Sequence, residues 1–142
     1  IKEYPAIKKV IEAGIIPIIS GGGGIPVVKS GDQLIGTEAV IDKDFSAAKI
    51  AELVEADQLI ILTSVGGVFY RFGKPDQEEI FDVTAKEIQK HIDADEFAKG
   101  SMMPKVKAAV QFVKKTGNLA VIGALDDVRQ IITGDKGTVI HQ

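Results

Sequence analysis

The 142 residues contain no cysteine and no tryptophan, and only two histidines and two tyrosines. The missing thiols exclude a disulfide scaffold and thiolate metal ligands, a composition that suits a reducing compartment. His91 and His141 stand alone, without a second imidazole at metal-ligand spacing, so a protein-built zinc site is not expected. Ser20, Ser64 and Ser101 have no histidine nearby and none sits in a nucleophile elbow, which argues against nucleophilic hydrolysis. Neither sign of charge dominates. Seventeen basic against twenty acidic residues leave a formal charge of −3, so no surface for nucleic acid or anionic membrane is expected. No apolar run reaches the ~18 residues of a membrane-spanning helix. Lys2 and Glu3 open an amphipathic segment with no apolar leader core behind it. The expectation is a soluble, cytoplasmic protein.

What is present is a 45% hydrophobic chain long enough for one domain with a real core. It begins at Ile1 and runs at once into apolar sequence, as a piece of a longer protein would. Ile7, Val10 and Ile11 recur at helical spacing up to Gly14. Ile15 to Ile19 reads as a buried strand despite Pro17, and Gly21 to Gly24 as a turn or extended loop. Val27-Val28 and Leu34-Ile35 read as a hairpin. From Asp44 onward Ala47, Ile50, Ala51 and Val54 predict a core-facing helix stripe. Gln58 to Leu62 predicts a buried strand ending at Thr63-Ser64, and Val68-Phe69-Tyr70 a short one. Thr84 with Glu87 predicts a capping box for a helix reaching about Ile92. Pro104 fits the first turn of a further helix, whose stripe is Val106, Ala109, Val110 and Val113 and whose stop is Gly117. A strand at Leu119 to Ile122, a short helix at Asp126 to Ile132 and a strand at Thr138 to Ile140 complete the chain. Alternating strands and helices predict an α/β fold, a mostly parallel sheet between helices, in a single domain over 1–142. Ligands in such sheets sit beyond the carboxyl ends of the strands.

Three segments carry candidate chemistry. Ser20 with Gly21, Gly22, Gly23 and Gly24 offers backbone that an anion can approach, although it is neither a dinucleotide fingerprint nor a Walker loop. Lys43 and Asp44 stand at a helix start, where Asp44 alone would be an ordinary N-cap. A lysine at the positive end of a helix is unfavourable unless an anion or acid offsets it. Lys105, next to Pro104, meets the same condition, against the ordinary fate of a solvated surface lysine. Two such lysines point to phosphate oxygens and a phosphoryl-transfer centre. Met102 and Met103 are more often core filler than ligand contacts, although thioethers pack well on flat rings. Asp126-Asp127 reads as an N-cap.

Four strings occur in order: Ser20-Gly21-Gly22-Gly23-Gly24-Ile25-Pro26, Glu38-Ala39-Val40-Ile41-Asp42-Lys43-Asp44, Phe72-Gly73-Lys74-Pro75-Asp76-Gln77 and Gly100-Ser101-Met102-Met103-Pro104-Lys105. Together they closely resemble carbamate kinases, members of the amino acid kinase fold. That family has chains about twice this long, so the resemblance implies a C-terminal, nucleotide-binding half without its N-terminal partner. It implies phosphoryl transfer between ATP and carbamate, run physiologically from carbamoyl phosphate and ADP. Lys43 and Lys105 would neutralise the transferring group, and Asp44 would hold the lysines. The Ser20–Gly24 loop would face the carbamate end, and Mg²⁺ would bridge the phosphates. Thr63, Ser64, Val65, Phe69, Met102 and Met103 would frame the nucleotide, and the full-length protein would form a homodimer. Two departures from the family pattern stand out. Gly66 lacks a carboxylate, and Phe69 stands where tyrosine is common. Two other classes stay open: an amino acid kinase with a different acid acceptor, and a non-catalytic nucleotide-binding fragment.

Overall fold

A computed structural model describes residues 1–142. In chain order the elements are α1 (Tyr4–Glu12), β1 (Val27–Ser30), β2 (Gln33–Gly36), α2 (Lys43–Leu53), β3 (Gln58–Thr63), β4 (Val68–Tyr70), β5 (Glu78–Ile80) and β6 (Asp82–Thr84). There follow α3 (Ala85–Asp93), α4 (Met102–Thr116), β7 (Leu119–Ala124), a 3-10 turn (Leu125–Asp127), α5 (Val128–Thr133) and β8 (Thr138–His141). β5 and β6, between Tyr70 and α3, are strands that the sequence pattern does not predict. Three-residue strands are too short for a visible alternation.

The main sheet has the order β3-β7-β8-β6. β3 runs parallel to β7 with Leu59 opposite Ala120, and β6 runs parallel to β8 with Val83 opposite Ile140. Only the central pair β7–β8 is antiparallel. The sheet is therefore mixed but mostly parallel, in an α/β fold. α4 is its central helix: Met103, Val106, Ala108, Ala109, Val110, Phe112 and Val113 are all buried, which leaves it almost no solvent face. It packs on α2, α3 and the face of β7 that carries Ala120 and Ile122. Val121 and Gly123 point the other way and are covered by α5, whose Ile131 side chain touches the position of a Gly123 Cβ. β4 and β5 form a separate hairpin that the fully buried Thr138 ties to the sheet: its hydroxyl donates to the Ile80 carbonyl and accepts from Val68 N–H.

Local signals account for several boundaries. Thr84 and Glu87 form the expected capping box, and Gly117, at φ 78°, ends α4 in the left-handed conformation. Other expectations are corrected. Ile15–Ile19 forms no strand, and Ile16 and Ile18 are 92% and 101% exposed rather than buried. Five apolar residues in a row carry no information about whether a neighbouring strand is there to cover them. The α2 stripe is also shifted: Asp44, Ala48 and Ala51 are buried while Ala47 is exposed. The helix turns its acid inward because a partner waits there. Asp127 does not cap with its side chain; its carboxylate takes Lys136 Nζ at 2.7 Å instead.

Candidate active site

α2 and α4 each lead by a short turn into a strand, α2 into β3 and α4 into β7. A helix joined so tightly runs antiparallel to its strand, so both helices begin at the carboxyl ends of β3 and β7. The start of α2 is fixed by Asp42, not Asp44. Asp42 is the N-cap, its Oδ1 accepting Asp44 N–H at 2.7 Å. With the cap supplied one step earlier, Lys43 becomes the first helical residue and the Asp44 side chain is free to turn inward.

Lys105 meets it there. Nζ of Lys105 lies 2.8 Å from Asp44 Oδ2, with both side chains near one-tenth exposed at 12% and 10%. Lys43 Nζ stands 3.9 Å from the same oxygen but remains 59% exposed. One carboxylate thus sits between two ammonium groups, one desolvated and one open to solvent. Lys105 is not the solvated lysine that residue statistics favour. Burial of an ammonium requires a paired, hydrogen-bonded carboxylate, which Asp44 provides.

The glycine loop closes on the same point. Gly23 is the one buried glycine of the four, at φ 135°, and a Cβ there would lie 1.9 Å from the Ile41 carbonyl oxygen and 3.4 Å from Lys43 N. Only glycine fits. Gly21, Gly22 and Gly24 are exposed with open space around them, and Ser20 itself takes a positive φ of 69°. The structure therefore brings together the Ser20–Gly24 loop, Lys43, Asp44 and Lys105, three segments far apart in sequence.

The residues expected to frame a nucleotide lie around the same sheet edge. Thr63, Ser64 and Val65 leave the carboxyl end of β3, and Ser64 is exposed. Phe69 is half-buried in β4, its ring 5.7 Å from that of Phe72. Met102 is partly buried at the start of α4, whereas Met103 is 5% exposed and belongs to the core. The Met103 side chain is packing and has no face left for a flat ring. Beside Gly66, Glu79 Oε1 lies 3.6 Å from where a Cβ would be. Two concavities of the surface lie elsewhere, along α3 and α4 around Gln89 and Lys114.

Two members of the site were missed from sequence. Asp42 had a signal, an aspartate two residues ahead of a helical N–H. Ser46, whose hydroxyl donates to the Gly23 carbonyl across 23 positions, had none.

The profile of the Amino acid kinase family matches residues 2–123. The chain belongs to the amino acid kinase family. Among its relatives, a carbamate kinase of Lentilactobacillus hilgardii is 51% identical over 138 residues, covering 97% of this chain and 43% of that protein. A carbamate kinase of Latilactobacillus sakei is 48% identical over 99% of this chain and 45% of its own length. The solved structure of carbamate kinase from Giardia lamblia bound to AMP-PNP superposes with a TM-score of 0.95 at 35% identity, covering 99% of this chain and 49% of that one. This amino acid kinase chain thus spans less than half the length of the relatives named.

Proposed function

We propose that the chain is the nucleotide-binding part of a carbamate kinase, which moves a phosphoryl group between ATP and carbamate and works from carbamoyl phosphate and ADP toward ATP. The observation that carries this reading is the single buried carboxylate of Asp44 held between Lys105 and Lys43 at the starts of two helices. Phosphoryl transfer spreads negative charge over the oxygens of the moving group, so catalysis is mainly positioning and charge stabilisation. Lys43, exposed at its tip, reaches for that charge. Lys105 supplies a second cation whose direction is fixed by Asp44. Asp44 has its carboxylate engaged by both lysines and acts as an organiser, not as a base. None is required, because carbamate is already a nucleophilic anion.

The exposed amides of the Gly21–Gly24 loop receive the acceptor end, and Thr63, Ser64, Val65, Phe69 and Met102 border the nucleotide. Mg²⁺ enters with the nucleotide as part of the substrate. Held through the nucleotide, it would add positive charge beside Lys43 and Lys105. At full length the enzyme is a cytoplasmic homodimer. The absence of cysteine supports that compartment, and no helix is long and apolar enough to cross a membrane.

The test is ATP formation from carbamoyl phosphate, ADP and Mg²⁺ by this polypeptide and by Lys43→Ala. Turnover that Lys43→Ala lowers by orders of magnitude supports the kinase. Turnover with another acid phosphate and not with carbamoyl phosphate moves the protein to a different acceptor within the family. ADP binding without turnover by any acid phosphate leaves a nucleotide-binding module and overturns activity in this chain.

A further inference from the structure

Ser46 lies in the first turn of α2 and is 6% exposed. A serine there ordinarily returns its hydroxyl to a carbonyl of its own helix or gives it to water. Here the hydroxyl crosses to the Gly23 carbonyl, while its N–H makes the regular helical bond to Asp42 O at 3.1 Å. The same peptide of the loop rests directly on Ile41, where a Gly23 Cβ has no room. Backbone contact and one hydroxyl therefore clamp the loop onto the turn that carries Lys43 and Asp44.

The clamp has a directional consequence. The amides of Gly21 and Gly23 are used inside the loop, bonded to Ile19 O and Ser20 O at 2.9 Å each. Those of Gly22 and Gly24 donate to no protein acceptor. In a trans peptide the carbonyl and the following N–H point in opposite directions. Holding the Gly23 carbonyl toward α2 fixes the Gly24 N–H away from it, at the exposed rim of the loop. Without the Ser46 hydroxyl, four consecutive glycines would let that peptide rotate at little cost.

We infer that Ser46 is a positioning residue: it sets the direction of the Gly24 amide against the Lys43–Asp44–Lys105 cluster, so that an anionic phosphoryl or carboxylate group meets a preorganised donor beside the free Gly22 amide. This deepens the phosphoryl-transfer reading and rests on it for the identity of the anion.

The test is a titration of the 142-residue chain with inorganic phosphate, followed by amide NMR, for the unsubstituted chain, Ser46→Ala and Ser46→Thr. The Gly22 and Gly24 amides of the unsubstituted chain should shift saturably. Ser46→Ala should weaken phosphate binding roughly three- to tenfold, the worth of one net hydrogen bond, and Ser46→Thr should restore it. Should Ser46→Ala not fold, Ser46→Cys, a weaker donor of similar volume, takes its place. A lowered melting temperature with unchanged phosphate affinity makes Ser46 merely structural and overturns the inference. Silent loop amides in the unsubstituted chain overturn it as well. Because phosphate binding is read without turnover, a normal titration beside absent ATP formation would count against the kinase and not against Ser46.

Discussion

Asp44 and Lys105 are separated by 61 residues and joined by a 2.8 Å contact between Oδ2 and Nζ, inside the seam where α2 crosses α4. A pair this desolvated is costly to break from one side, because the remaining charge keeps its desolvation penalty without its attraction. Lys105→Met should destabilise the chain by about 3 kcal/mol, within the range for a buried carboxylate left alone. Adding Asp44→Asn should recover most of the loss, since the neutral amide needs no counter-charge. Urea unfolding of both variants measures this. Additive losses would mean the two residues do not act as a unit.

Lys43 shares that carboxylate but stands in solvent, and the difference separates chemistry from stability. Its 3.9 Å contact is an exposed ion pair, worth at most about 1 kcal/mol. Lys43→Ala should therefore melt within a few degrees of the unsubstituted chain. If turnover collapses while the melting temperature holds, the lysine acts on the reacting group. A fall of both together would assign it to the fold.

Gly23 and Gly22 are neighbours with opposite demands. A methyl at Gly23 would lie 1.9 Å from the Ile41 oxygen on a backbone with φ of 135°, whereas Gly22 has open space. Gly23→Ala should cost roughly 2–4 kcal/mol from overpacking and an unfavourable backbone. Gly22→Ala should be close to neutral or slightly stabilising, through a less flexible unfolded chain. Equal effects on thermal unfolding would contradict the packing of the loop on Ile41.

The capping box of α3 gives stability a pH dependence of known sign. The Thr84 hydroxyl and backbone N–H both bond the Glu87 carboxylate and hold its pKa below the ordinary 4.5. The folded chain thus binds this proton less readily than the unfolded one. The contribution is complete above the unfolded pKa and disappears as pH falls through the folded value. Glu87→Gln should lower the melting temperature at neutral pH. The gap to the unsubstituted chain should narrow on acidification, as the carboxylate is protonated first in the unfolded state and then in the folded one. A gap that widened on acidification would reverse the sign of the linkage.

Why some of this was legible in sequence and some was not follows from the range of the interactions. The capping box, the Gly117 stop and the β1–β2 hairpin are written within a few residues, and they appear where local chemistry puts them. Asp44 in the buried stripe of α2 could not be read that way. A carboxylate faces the core only when a cation comes to meet it, and Lys105 lies on another helix. The Lys43, Asp44 and Lys105 grouping was visible as motif strings, whereas the side chain that locks the loop to it, Ser46, was not. Met103 shows the reverse case. It belongs to a recognisable string, yet its side chain is spent on the core.

Ile15 to Ile19 offers the last and most general test. Five apolar residues lie in no strand, and the nearby hairpin of β1 and β2 is exposed along its whole length. Isoleucines at 92% and 101% exposure contribute nothing to the core of this chain, so replacing them costs no burial. An exposed apolar segment is, however, a surface on which another chain can associate. Ile16→Lys with Ile18→Lys should therefore leave the melting temperature nearly unchanged while reducing self-association, measured by light scattering across a concentration series. A charged lysine at each position opposes edge-to-edge pairing, as charge on an exposed edge does in natural sheets. If the double variant instead loses stability and associates as before, the segment is packed into the chain's own core.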